Sequence, residues 1–220
     1  MDHTVIVIGH GQARTLHDAI VAASRLNSTV NKIVAVTPRN DPLKLYDSEY
    51  LVGNSDYNGI GTQDRTIFAL TLAATMQTDC VTILEYDAIA WPRYFELAGM
   101  VCNGHSVACG TIFTNGDRSF RGTYYTHWPV TATPSMWRVI AGAASQLCER
   151  GFPDRLVGAA VELAGFEFQC VTGSHFSANK INESNIKDAI NAIAKGACCM
   201  HGIKSLDILS KLDKEYWKQQ

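Results

Sequence analysis

Three short runs constrain the fold more than anything else in this chain: TVIVI at residues 4–8, KIVAV at 32–36 and VTIL at 81–84. A strand with one wet face alternates apolar and polar residues, whereas a strand covered on both faces is apolar throughout. These runs are of the second kind. Between the first two, residues 13–26 have helical spacing, with Leu16, Ala19, Ile20 and Ala23 on one face. Gly9-His10-Gly11 closes the first strand and Thr37-Pro38 the second. Short connections of this kind predict a β-α-β opening with parallel strands and a right-handed crossover.

The rest of the chain continues in mixed fashion. Residues 39–62 hold Pro42, Gly53, Asn54, Asn58, Gly59 and Gly61 and read as a long irregular segment, which inside a compact domain is usually functional. Helices are expected over 65–76, 135–150 (with Ser135 as N-cap), 154–164 (ended by Gly165) and 186–195 (ended by Gly196). Strands are expected over 107–113, 122–133 and 166–171, a last buried segment over 197–200, and an amphipathic helix from 205 that fades into charge. With no repeat, low-complexity tract or Pro/Ser linker, the chain is expected to form one α/β domain. Its sheet should be mixed but mostly parallel, Rossmann-like and flanked by helices.

Composition narrows the function. A formal charge of −2 gives no footprint for a polyanion, and Arg118 with Arg121 do not make one. Seven cysteines at 80, 102, 109, 148, 170, 198 and 199 show no Cys-x-x-Cys and no regular spacing. Reduced core thiols fit better than a disulfide scaffold or zinc ribbon, and the expected location is cytoplasmic. The first residues lack a basic leader region, and no apolar run is long enough to span a bilayer.

The chemistry is expected where the third buried run surfaces, in VTILEYDAIAWP. Ligands of open α/β sheets collect beyond the carboxyl ends of the strands. Alternation along an extended segment would place Glu85 and Asp87 on one side and Tyr86 on the other. Two adjacent carboxylates repel unless a cation lies between them, and oxygen ligands suit Mg²⁺ or Mn²⁺, which complete their shells with phosphates. The alternative is a solvated acidic pair at the start of a loop. Upstream, Gly59 and Gly61 permit close backbone approach to a ligand, and Arg65 at a helix start can reach a phosphate. Downstream, Asp154 follows Pro153 at a helix N-terminus, where it serves as a cap or, beside a cleft, as a general base.

In this order the segments resemble those of GT-A type nucleotide-sugar glycosyltransferases, over most of residues 4–206. The resemblance implies a nucleotide-binding half (1–90), an acceptor and catalytic half (91–206) and a C-terminal helix or tail (207–220). Glu85-Tyr86-Asp87 would be a variant of the family's acidic DxD motif, with Glu85 near the ribose and Asp87 on the metal. Pro153-Asp154 resembles the start of the base-bearing helix, which makes Asp154 the base of an inverting transfer. Met200-His201-Gly202-Ile203-Lys204 resembles the closing loop, with His201 on the metal and Lys204 near the diphosphate. Gly9, His10, Gly11 and Thr37 would line the nucleotide. The implied partners are Mn²⁺ or Mg²⁺, a nucleoside-diphosphate sugar, and a hydroxyl acceptor such as a free, lipid-linked or nucleic-acid glycan. The aromatic residues Tyr124, Tyr125, Trp128 and Trp137 suit a sugar-stacking surface or an ordinary core.

Two departures are visible: Glu85 replaces the first Asp of DxD, and Pro153 replaces an acid before Asp154. Three other functions fit parts of the pattern. An NAD-type oxidoreductase would need a third glycine where Arg14 stands. A nucleotidyltransferase shares the sheet, the acids and the metal, but usually carries a basic glycine-rich loop after its first strand. An inactive nucleotide-sugar-binding domain would keep the fold alone.

Overall fold

A computed structural model describes residues 1–9, 30–38, 47–53, 60–102, 105–114, 124–147, 153–171 and 176–220. Expectations that fall elsewhere, including the helix over 13–26, lie outside the described residues.

Seven strands form one sheet in the order β3-β2-β1-β4-β7-β6-β8. Its centre is the apolar set seen in the sequence: β1 (His3–Ile8), β2 (Val30–Thr37) and β4 (Cys80–Glu85). β1 pairs in parallel with both β2 and β4. β7 (Tyr124–Ala132) runs antiparallel to β4 and to β6 (Ser106–Thr114), and β8 (Glu167–Cys170) is parallel to β6. The sheet is therefore mixed and mostly parallel, as expected, with β7 as the reversed strand. Strand order turns back between β1 and β4, and such a switch point opens a crevice at the carboxyl ends. Glu85 stands there, in register with Ile8.

Six helices are present among the described residues: α1 (Ile60–Ala73), α2 (Pro92–Val101), α3 (Pro134–Ala144), α4 (Pro153–Leu163), α5 (Ile186–Ala194) and α6 (Leu206–Trp217). A large core joins Val5, Ile6, Ile83 and Leu84 of the sheet to Leu70, Ile140 and Val157 of α1, α3 and α4. The N-cap of α3 is Thr133, not Ser135. Its hydroxyl accepts from the Met136 N–H at 3.3 Å, with Pro134 opening the helix.

Four elements fall where no regular structure was expected: α2 and three short strands. β3 (Ser48–Leu51) lies inside the supposed irregular segment and extends the sheet beside β2. β5 (Ala88–Ala90) follows the acidic turn and joins a second, three-stranded sheet in the order β5-β10-β9, with β10 at Cys199–Ile203 and β9 at Phe176–Ile181. This smaller sheet has its own core, in which Ile89, Trp91, Met200 and Ile203 meet Ile193 of α5 and Leu209, Leu212 and Tyr216 of α6. None of its strands exceeds six residues. Strands so short give too little periodicity to read from sequence.

Trp128 and Trp137 belong to the large core and are at most 1% exposed, so they offer no sugar-stacking surface. The Trp137 indole donates to the Val81 carbonyl at 2.9 Å, whereas the Trp128 indole N–H has no hydrogen-bond partner among the described residues. The side chains of Tyr124 and Tyr125 lie outside the described residues.

Candidate metal centre

The acidic pair does not lie on one continuous strand. β4 ends at Glu85, and Tyr86 and Asp87 turn the chain into β5. Strict alternation therefore does not apply. What fixes Asp87 is β10: its carbonyl accepts from both the Gly202 N–H, at 3.0 Å, and the Ile203 N–H, at 2.9 Å. Two residues facing one is a β-bulge, and Gly202 supplies the required positive φ of 93°. The bulge has a direct chemical result. In a regular strand positions 201 and 204 point to opposite faces, but here both side chains reach Asp87.

His201 Nε2 lies 3.2 Å from Asp87 Oδ1 and 3.6 Å from Glu85 Oε2. Lys204 Nζ lies 3.3 Å from Asp87 Oδ2. The Tyr86 hydroxyl is 3.3 Å from the same ammonium, which stands 5.6 Å from the centre of its ring. Tyr86 thus faces the charges instead of turning away from them. One potential ligand atom from each of Glu85, Asp87 and His201 can be chosen so that all lie within 4.8 Å of one another. Asp87 is 1% exposed, His201 11% and Glu85 13%.

Electrostatics follow from that crowding. Burial first, then the neighbouring charges of Asp87 and Asp154, push the Glu85 carboxyl up to about 7 against the pull of His201. Burial alone would raise Asp87 as well, but His201 and Lys204 outweigh it and hold the group below its usual range. Burial works against the proton of His201, yet Asp87 and then Glu85 retain it and raise the imidazole to about 10. The imidazolium thus does for the two acids what a cation would do.

Do these residues fit a divalent ion? Asp87 Oδ1 is buried with His201 Nε2 at 3.2 Å, and has no hydrogen bond of good geometry among the described residues. An acceptor left in that condition is costly. Two carboxylates and one imidazole are a suitable donor set for Mn²⁺ or Mg²⁺, and they can take a metal in place of the imidazolium proton. The site fits.

Asp154 lies in the first turn of α4 and is 7% exposed, close enough to Glu85 to raise its proton affinity. Its Oδ1 accepts from the N–H of the next residue, Arg155, at 3.0 Å. Gly9 ends β1, and its N–H bonds the Val36 carbonyl at 2.7 Å. Thr37, at the end of β2, is buried and shares its hydroxyl with Glu49 Oε1 at 3.2 Å.

Three expectations need correction or delimiting. Arg65 is in the second turn of α1, wholly buried, with Nη2 donating to Thr62 Oγ1 at 3.1 Å. Its side chain is buried instead of standing exposed at the helix start. Gly61 is close-packed against the chain itself, since a β-carbon on Gly53 would sit 3.1 Å from its Cα. His10 and Gly11 lie outside the described residues. What sequence reasoning missed is Gly202 and Tyr86, the first because a bulge has no signature in one sequence, the second because alternation was assumed.

No protein-family model and no curated protein sequence matches the chain. Solved structures do. A 2-C-methyl-D-erythritol 4-phosphate cytidylyltransferase from Thermus thermophilus is similar with a TM-score of 0.53 and 16% identity, over 79% of this chain and 90% of that one. A 4-diphosphocytidyl-2C-methyl-D-erythritol synthase is similar with a TM-score of 0.52 and 9% identity, over 79% and 91%. The likeness is one of fold, a mixed and mostly parallel α/β sheet flanked by helices, found in nucleotidyltransferases.

Proposed function

We propose that the chain is a metal-dependent transferase that takes its group from a nucleotide. The observation that carries this is the meeting of Glu85, Asp87 and His201 at the carboxyl end of β4, beside the switch point of the sheet. A divalent cation held by these three residues would neutralise charge growing on departing phosphate oxygens. Gly9 and Thr37, at the ends of neighbouring strands, would border the nucleotide, and Lys204 would face its phosphates. In this reading residues 1–90 form the nucleotide half and 91–206 the acceptor half.

The fold likeness supports nucleotidyl transfer. In that reaction an acceptor oxygen attacks the α-phosphorus of a nucleoside triphosphate, the bond to the β-phosphate oxygen breaks, and pyrophosphate leaves. A second reading is sugar transfer from a nucleoside-diphosphate sugar, and the placement of Asp154 favours it. A carboxylate fixed at a helix start within the field of Glu85 can accept the proton of an attacking hydroxyl. The new bond would form at the anomeric carbon while its bond to the diphosphate breaks, with inversion.

Thermal shift with each nucleoside triphosphate and each nucleoside-diphosphate sugar, with and without Mn²⁺, tests both. Metal-dependent stabilisation by one triphosphate supports nucleotidyl transfer; stabilisation by one sugar nucleotide supports the second reading. If no nucleotide stabilises the protein in either condition, both readings fall.

A further inference from the structure

Lys204 is held in an unusual way. Its ammonium lies 3.3 Å from Asp87 Oδ2 and 3.3 Å from the Tyr86 hydroxyl. Charge-assisted hydrogen bonds to carboxylates are normally about 2.7–2.9 Å, so neither contact is tight. Its side chain is 31% exposed while that of Asp87 is 1% exposed, so the lysine approaches the acid from the solvent side. The other oxygen of Asp87 already faces His201. One carboxylate thus faces both side chains, and Lys204 occupies ground a metal ion would want.

Resting on the metal reading above, we infer that Lys204 is a displaceable counter-ion. It neutralises Asp87 while no metal is bound, yields to a divalent cation, and turns onto the phosphate chain, with Tyr86 keeping it within reach. The reasons are electrostatic and geometric. An ammonium and a divalent cation compete for the same anion and repel each other strongly in a site shielded from water. Lysine is a point charge on a flexible stem, able to change partners without leaving the site. The Tyr86 hydroxyl lies in the turn between the two acids and remains a partner after Asp87 is lost. Tyr86 is a positioning residue on this account, since it acts through Lys204. The consequence is an order of events: the cation enters first, and the anion meets a lysine that the cation has released.

The test separates this from a permanent ion pair by the opposite signs of two effects. Mn²⁺ binding is followed by electron paramagnetic resonance of the free ion at fixed pH, and pyrophosphate binding by calorimetry at saturating Mn²⁺. Lys204→Gln should bind Mn²⁺ alone about tenfold more tightly, because its competitor has gone, yet bind pyrophosphate about tenfold more weakly. Lys204→Arg should restore most of the pyrophosphate affinity. Tyr86→Phe should leave Mn²⁺ affinity within about twofold and weaken pyrophosphate about threefold. Melting temperatures of the variants show whether each is folded, and a purely structural role would lower both affinities together. Unchanged or weaker Mn²⁺ binding by Lys204→Gln overturns the counter-ion, and unchanged pyrophosphate binding by Tyr86→Phe overturns the part given to Tyr86. Absence of Mn²⁺ binding by the wild type overturns the metal reading itself, a result distinct from either.

Discussion

The acids and the cations of the candidate centre stand on two different hydrophobic cores. Glu85 ends β4, whose neighbours β1 and β7 are packed on both faces in the large core. His201 and Lys204 come from β10 and the residue after it, where Met200 and Ile203 lie in the small core under α5 and α6 and Cys199 lies in the large one. Asp87 joins the two, since its carbonyl grips the β10 bulge. The central strands are paired on both sides and shielded from solvent. The small sheet consists of strands of three to six residues. The lesson is that ligand geometry here depends on how a small sheet packs against a large one, since Ala88, Ala90 and Cys199 of the small sheet also belong to the large core.

Core truncation gives the largest expected contrast. Ile83→Ala, in the centre of β4, should destabilise the whole protein by about 3–5 kcal/mol. Leu212→Ala, in α6, should cost about 2–4 kcal/mol, and its effect should be regional. Amide exchange distinguishes the two: Leu212→Ala should speed exchange in β10 and α6 well before β1 and β4. Equal acceleration in both sheets would show that the two cores open as one.

This contrast also explains what can be read in advance. β1, β2 and β4 announce themselves as apolar runs because both faces are covered, and their order with the intervening helices gives the sheet class. Glu85 and Asp87 are legible because a charged pair directly after a buried run has few uses. His201 and Lys204 come from resemblance alone. That they reach one carboxylate depends on the Gly202 bulge, a tertiary feature that alternation would deny. β3 and β5 escape notice because four and three residues cannot display a period. α2 does carry a signal, Pro92 at its first position, which the reading of the sequence leaves unused. The burial of Arg65 is not legible either, because charge usually means surface and this one is wholly buried.

The next effect tests the large region alone, through pH. His3 is 1% exposed at the start of β1, its ring edge-on to Phe95 at 5.3 Å, and Nε2 has no hydrogen-bond partner among the described residues. Burial, with a smaller push from the N-terminal charge and against the pull of Asp79, lowers its proton affinity from 6.5 to about 4. The unfolded chain therefore takes up this proton before the folded one does. Stability from neutral His3 is complete above about pH 6.5 and is lost as pH falls towards 4, by up to about 3 kcal/mol. Denaturant titrations of wild type and His3→Leu at pH 7.5 and 4.5 isolate it. The gap between the two proteins should shift in favour of the variant at low pH.

Gly202→Ala addresses the junction between the regions. A side chain at a φ of 93° costs about 1–2 kcal/mol, and relief of that strain requires the bulge to change. His201 and Lys204 would then no longer share Asp87. Mn²⁺ affinity should fall by about tenfold or more, while melting should change by only a few degrees. A large loss of stability with unchanged metal affinity would place the bulge in folding and remove it from the site.

The smallest effect is the most local. Trp91 follows β5, stacks on Tyr216 at 4.6 Å and donates its indole N–H to Asp213 Oδ1 at 2.9 Å. Its backbone N–H bonds the Cys198 carbonyl at 3.0 Å, which ties β5 to the chain entering β10. Trp91→Phe keeps an aromatic ring for the stack but deletes the bond to α6, and Asp213 can regain water. A cost of about 1–2 kcal/mol is expected, as for one hydrogen bond to a charged acceptor. Because α6 covers the strand that carries His201, the loss should appear as faster exchange in α6 and β10 with β1 and β4 unaffected. Mn²⁺ affinity should weaken by a few-fold, since His201 must be immobilised from a looser starting state. If exchange rises in the small region while metal affinity is constant, β5 and the Asp87 carbonyl suffice to hold the bulge, and α6 is only a cover.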